Sequence, residues 1–229
     1  MVTGIALHTY FSIQHVQAAA YFSRQSAATE ALVGHGDDPE SLRVTIRANA
    51  ASAIFMSAAF LEALANELFA DALNSHGGHL DPISPKGRSL IAELATDDTV
   101  QKAQVLSKLN LLLKAEGKGS LNLGELPGQD VVTMLKLRNN LVHYKASWLD
   151  VGTPGMVRAG NLRESKLQKA TEGKFPSRTG ANPTSGDAWL GAGCAKWCVQ
   201  STIALTDEFF NQFGITPLYE HVRCNLALE

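Results

Sequence analysis

Residues 57–73 read SAAFLEALANELFADAL, and this stretch decides the fold class. Its apolar side chains recur at steps of three and four residues, which is the spacing of one helix face. The helix is predicted to begin near Leu42 and to end in the stretch 74–85, which contains two adjacent glycines and two prolines. The apolar stripe comprises Ile54, Ala58, Leu61, Ala65, Leu68 and Ala72, widened by Phe55 and Phe69. The sequence therefore predicts a long amphipathic helix.

The rest of the chain also has helical character, and no sustained alternation of apolar and polar residues indicates strands. Further helices are predicted over residues 9–33, 89–94, 101–115, 129–149 and 187–213. A glycine- and proline-rich loop over 117–128 precedes the fifth helix, and an irregular stretch over 151–186 precedes the last. The prediction is an all-α bundle of about five to six helices that forms a single domain over 1–229, with a long loop before the last long helix.

Composition and charge exclude several classes of protein. Hydrophobic residues make up 45% of the chain and the formal net charge is −2, so no global charge favours nucleic acid. Residues 2–23 are uncharged but too polar to cross a bilayer, and they lack the basic start of a signal peptide. The three cysteines cannot all pair within one chain, and Cys194 and Cys198 are predicted to be core residues rather than metal ligands. A reduced, cytoplasmic protein without a membrane span is expected.

The stretch with the most distinctive chemistry is RNNLVH, residues 138–143, on the predicted helix 129–149. On an ideal helix, Arg138 lies in the middle of the apolar arc and His143 lies about 140° away on a polar arc. A buried guanidinium cannot lose its proton, so Arg138 needs an acid, a cluster of carbonyl groups or an anionic ligand as its partner. The acids in question are Glu62, Glu67 and Asp71 of the second helix.

Because Arg138 and His143 lie about 140° apart, they cannot both contact one ligand from a single straight helix without a further change. The two side chains meet one ligand only if the arginine bends around, the helix is distorted, or a second copy of the helix completes the site. A dimer through helix 129–149 would also cover the apolar arc. Asn139 precedes His143 by one helical turn, where its amide can hydrogen-bond to the imidazole.

Residues 157–178 form a basic segment within the irregular stretch. They contain six basic and two acidic residues, which gives a local charge of +4 in a chain of −2. The basic residues are Arg158, Arg163, Lys166, Lys169, Lys174 and Arg178. This segment is either a solvated flexible loop or a contact surface for an anionic partner.

RNNLVH resembles the Arg-polar-x-x-x-His signature of the HEPN superfamily (higher eukaryotes and prokaryotes nucleotide-binding), and residues 57–73 look like the amphipathic early helix of many members. The resemblance covers about residues 40–215. It implies an endoribonuclease that uses no metal and no cofactor and cleaves RNA through its 2′-hydroxyl to a 2′,3′-cyclic phosphate. In that chemistry Arg138 holds the scissile phosphate and His143 acts as general base or acid.

The resemblance also implies supporting residues and partners. Asn139 would orient His143, and Asn140 would contact RNA. Other basic residues expected to bind RNA are Lys136, Lys145, Arg163, Lys166 and Lys169. The expected partners are an RNA substrate, a second copy of the chain through helix 129–149, and an antitoxin or other regulatory protein, as for a toxin or phage-defence effector. Two alternatives stay open: a non-catalytic HEPN-like module for nucleotide binding or protein assembly, and an unrelated bundle in which Arg138 is structural.

Overall fold

The computed structural model describes residues 9–34, 40–74, 79–143, 167, 169–181 and 187–228 of the chain. These residues form helices joined by turns and loops, with no strand among them, so the all-α prediction is confirmed. The helices are α1 (Ser12–Glu30), α2 (Glu40–Asn74), α3 (Pro85–Ala95), α4 (Asp98–Gln101), α5 (Val105–Ala115), α6 (Gly128–Val142) and α7 (Ala192–Phe213), followed by a 3₁₀ helix (Glu220–Leu226).

Helix α2 is the centre of the bundle, in contact with α1, α3, α5, α6 and α7. All six positions of the predicted apolar stripe are buried, as is Phe69, while Phe55 is half-buried. Phe60 and Leu64, which lie outside the predicted stripe, are also fully buried. The prediction of a one-sided amphipathic helix is therefore incomplete, because neighbouring helices surround α2 on more than one face.

Helix α2 is also long and apolar enough to cross a membrane, by length and composition alone. Its most apolar 18-residue window is 56% buried by the rest of the chain. Burial of this kind is typical of the core helix of a bundle, since a helix that is hydrophobic on several faces needs protein around it.

Several helix boundaries differ from the prediction, among them the start of the last helix, which begins at Ala192 rather than at residue 187. The helix predicted over 101–115 begins only at Val105, because Gln104 is extended, and a short helix that was not predicted, α4, ends at Gln101. The Asp97 carboxylate accepts hydrogen bonds from the backbone N–H groups of Thr99 and Val100 and so fixes the start of α4. Helix α3 begins at Pro85, earlier than predicted, because the Ser84 hydroxyl accepts a hydrogen bond from Gly87 N and proline suits the first helical position.

The buried side chains form one hydrophobic cluster that runs from Val16 in α1 to Leu226 near the C-terminal end. The cluster therefore includes segments outside residues 40–215. Helix α1 packs on α2 and α7, and Tyr219 is fully buried against Phe60 at a ring-centroid distance of 5.5 Å. One face of the last helix is apolar and lies in the core, since Cys194, Cys198, Leu205, Phe209 and Phe213 are all buried.

Candidate functional site

Helix α6 carries the RNNLVH motif and packs against α2 and α7. The helix ends at Val142, and His143 is its C-terminal cap residue, with φ −112° and ψ 41°. The prediction that the helix continues to about Leu149 is therefore wrong, and residues 144–150 lie outside the described residues. Asparagine and β-branched valine favour helix poorly, so the sequence NNLV weakens the last turn. His143 consequently stands at the end of the helix rather than on its side.

Arg138 is half-buried on α6, next to the core residues Met134 and Leu137. Its Nε atom is fully buried and has no hydrogen-bond partner among the described residues. Leaving a buried donor unsatisfied costs about 1–3 kcal/mol, and more when the group is charged. A guanidinium cannot escape this cost by losing its proton. Arg138 is thus a charged side chain whose inner nitrogen lacks a partner in the described part of the chain.

The three acids considered as partners of Arg138 bind other groups instead. Glu62 pairs with Lys108 at 3.5 Å. Glu67 accepts hydrogen bonds from the start of α1, and Asp71 accepts one from the Tyr10 hydroxyl at 2.7 Å. Within the described residues, no ion pair joins Arg138 to any of them. The structural alternative, in which Arg138 fastens α6 to α2 through a carboxylate, has no support in these contacts.

The exposed face of α6 carries Lys136 and His143, which are both solvent-exposed. Asn139 and Asn140, which lie near them in sequence, are half-buried. Lys136 forms no ion pair with the described residues. In the described part of the chain, no hydrogen bond joins the Asn139 side chain to the His143 imidazole, so the orienting role of Asn139 stays a prediction. Arg138 and His143 therefore occupy one end of α6 in different surroundings, one half-buried and the other in solvent.

The basic segment 157–178 is described only in part, and its residues Arg163 and Lys166 lie outside the described residues. So does Lys145, the other predicted RNA-binding residue that follows the motif. Lys169 is exposed, as an RNA-binding residue would have to be. Two other cations of the segment serve the fold instead. Lys174 pairs with Asp130, and Arg178 is buried and pairs with Asp187 at 3.5 Å. The local charge of +4 therefore overstates the charge available to an anionic partner.

Sequence reasoning missed a polar cluster that holds the first turn of α6. The Asp130 carboxylate accepts hydrogen bonds from Lys174 Nζ and from the indole Nε1 of Trp197, the latter at 2.8 Å. The ring of Phe175 lies 5.1 Å from that of Trp197. Asp130 in the first helical turn also interacts favourably with the helix dipole. The cluster fixes α6 to α7 and to residues 174–175, and no local sequence pattern indicates contacts across such separations.

Replacing Lys174 with methionine is expected to lower the free energy of unfolding by about 1 kcal/mol. The substitution keeps most of the apolar stem but removes one charge from a partly buried pair, while Trp197 still donates to Asp130. Urea unfolding monitored by circular dichroism measures the change. Exposed Lys169, replaced in the same way, provides the matched control and is expected to change stability by less than about 0.5 kcal/mol. An equal loss in both variants would contradict the anchoring role of Lys174.

The two helical cysteines are core residues, as predicted. Cys194 and Cys198 are both fully buried. Burial, together with the neighbouring Cys194 thiol, raises the pKa of Cys198 well above its usual value. A thiol that stays protonated in an apolar setting behaves as a small hydrophobic side chain.

Comparison with known proteins gives no relative from which to assign this site. No family model, no curated protein and no solved structure matches the chain. The HEPN resemblance therefore depends on the motif and on its helical setting.

Proposed function

We propose that this protein is a HEPN-like, metal-independent endoribonuclease. The observation that carries the proposal is the buried Nε of Arg138, which has no hydrogen-bond partner among the described residues and lies five residues before an exposed histidine at the end of the same helix. A guanidinium with no carboxylate partner in the described part of the chain can bind an anionic ligand such as a phosphodiester. The acids most able to neutralise it are bound elsewhere, which favours a ligand-binding role over a structural one.

The proposed reaction divides the chemistry between the two motif residues. The His143 imidazole takes the proton of the ribose 2′-hydroxyl, and the 2′-oxygen forms a bond to the adjacent phosphorus. The bond from phosphorus to the 5′-oxygen then breaks, and an imidazolium donates its proton to that oxygen. Arg138 stabilises the negative charge that grows on the phosphoryl oxygens. The products are a 2′,3′-cyclic phosphate and a 5′-hydroxyl. Asn139 would orient His143, and Asn140 would contact RNA.

Proton removal and proton donation in one step call for a base and an acid, and a homodimer through the helix 129–149 would supply both as two imidazoles. A second copy of α6 would supply the second His143 and a second Arg138. The surface near the motif suits such a contact, because Val142 is 52% exposed and Leu135 and Leu141 are partly exposed.

The position of the site at a helix C-terminus makes its cations necessary. The unpaired carbonyl groups of the last turn carry partial negative charge and disfavour a phosphate. Arg138, with the equivalent residue of a second copy, would offset that repulsion. Within this proposal the chain acts in the cytoplasm as a toxin or phage-defence effector, restrained by an antitoxin or regulatory protein. The alternative is a HEPN-like module that binds nucleotides or assembles with proteins without catalysis.

Cleavage of a mixed RNA substrate in the presence of EDTA tests the proposal. The wild-type protein is expected to cut RNA with EDTA present and to leave 2′,3′-cyclic phosphate and 5′-hydroxyl ends. Arg138→Ala is expected to lose most of this activity, whereas Arg138→Lys should keep part of it because the charge remains without the planar, bidentate geometry. Product ends are identified by mass spectrometry.

Two results would contradict the nuclease assignment. Equal activity in the wild type and Arg138→Ala would indicate a contaminating nuclease. RNA binding that requires Arg138, without cleavage under any divalent-ion condition, would support the non-catalytic module instead.

A further inference from the structure

The exposed face of α6 carries no negative charge beyond its first turn. Residues 131–143 read VVTMLKLRNNLVH and contain neither Asp nor Glu. The one acid of the helix, Asp130, binds Lys174, Trp197 and Ser201, so it is engaged away from this face. Beyond the first turn of α6, no acid of the same helix neutralises the exposed Lys136.

Lys136 lies on the same side of α6 as His143. Seven residues separate them, which corresponds to about 10 Å along the axis and an angular difference of only about 20°. Both side chains are exposed, and Lys136 has no carboxylate partner among the described residues. A nucleic-acid strand advances about 3.4 Å per nucleotide when stacked and roughly twice that when extended. The distance therefore corresponds to about two or three nucleotides.

We propose that Lys136 binds the phosphate about two to three nucleotides from the scissile phosphate, so that the RNA strand follows α6 from His143 towards its first turn. This inference rests on the proposed function. The lysine is a flexible point charge, so it contributes affinity with little selectivity for bases. The site then requires a minimum substrate length rather than a particular sequence on that side of the cut.

The contact is expected to act on substrate binding and not on the chemical step. Lys136→Ala should raise KM by about three- to tenfold with kcat nearly unchanged, because the contact is equal in the ground state and the transition state. The dependence of log affinity on log salt concentration should fall by about 0.7, the value for one phosphate contact on a single strand. A loss of folding would not produce this split between KM and kcat.

A length series of RNA oligonucleotides with one cleavable linkage tests the subsite. Nucleotides are added one at a time to the 5′ side in one series and to the 3′ side in the other. Every nucleotide except the one whose 2′-hydroxyl attacks the cleavable linkage is a 2′-deoxynucleotide. In the wild type, kcat/KM is expected to rise at the second or third added nucleotide in one series, and Lys136→Ala should remove that rise. Lys86→Ala is the matched control, since Lys86 is also exposed and lies on α3, which packs on α2 and α5.

The possible results of this experiment distinguish a failure of the Lys136 subsite from a failure of the proposed nuclease function. If the wild type cleaves but shows no rise with length, or if Lys136→Ala keeps the rise, the subsite is wrong and the nuclease assignment stands. If Lys86→Ala loses the rise to the same extent, the effect is one of overall charge and the subsite is again wrong. If the protein cleaves neither the oligonucleotides nor RNA of greater length, the proposed function fails, and the inference fails with it.

Discussion

Replacing His143 with alanine is expected to reduce the rate constant of RNA cleavage by about 10²–10⁴-fold. A positioned imidazole that transfers the proton of the reacting hydroxyl contributes an effect of this size. His143 is solvent-exposed at the end of α6, and its backbone N–H donates the last helical hydrogen bond, to Asn139 O at 3.0 Å. That bond survives the substitution, so stability should change by less than about 0.5 kcal/mol. Single-turnover cleavage at saturating RNA measures the chemical step.

The matched control for this variant is His221→Ala. His221 is also exposed, in the 3₁₀ helix near the C-terminal end, and it lies outside the motif. Its replacement is expected to leave cleavage unchanged. Full activity of His143→Ala with intact folding would exclude general acid–base catalysis by this residue, whatever the effect of replacing Arg138.

Much of the fold could be predicted because the long helices contain strong periodic patterns. The apolar stripe of α2 identifies a helix whose six stripe positions are all buried, and glycine and proline mark the breaks between helices. The predictions failed where local preference and tertiary packing compete. The start of α5 depends on the extended Gln104, and the end of α6 depends on a weak last turn. Burial of α2 on several faces depends on neighbours that its own sequence does not specify.

The candidate site could be predicted less completely than the fold. The helical wheel placed Arg138 within the apolar arc, and the structure confirms that its side chain is half-buried with a buried Nε. A helical projection of one segment cannot identify which groups bind the acids of α2, because those contacts join residues that are far apart in the sequence. Asp71 and Tyr10 are 61 residues apart, and Asp130 and Lys174 are 44 apart. Such pairings depend on the tertiary arrangement of the helices and have no local signature.

Glu67→Ala is expected to lower the free energy of unfolding by about 3 kcal/mol, the largest loss of stability predicted for this protein. Glu67 is only 8% exposed. Its Oε1 accepts hydrogen bonds from the backbone N–H groups of Phe11 at 2.7 Å and Ser12 at 2.9 Å, and its Oε2 accepts one from the Ser12 hydroxyl. Alanine would leave these donors unsatisfied at the start of α1 and would remove a negative charge that favours a helix N-terminus.

Glu67→Gln is the control that separates the hydrogen bonds from the charge. The glutamine oxygen can still accept from both backbone N–H groups, so a loss of only about 1 kcal/mol is expected. Thermal unfolding should show a decrease of roughly 6–12 °C for alanine, since 1 kcal/mol corresponds to about 2–4 °C in a domain of this size. Equal losses in the two variants would show that Glu67 stabilises α1 through its charge alone.

A double-mutant cycle with Arg138 connects this stability measurement to the function. Glu67 binds the start of α1 and not Arg138, so the effects of Glu67→Ala and Arg138→Ala on stability should add to within about 0.5 kcal/mol. A coupling energy well above that value would show that Glu67 and Arg138 interact in solution. Arg138 would then be a structural residue, and the main argument for a phosphate ligand at the end of α6 would be lost. Additivity would exclude Glu67 as the carboxylate partner of Arg138, as the proposed nuclease requires.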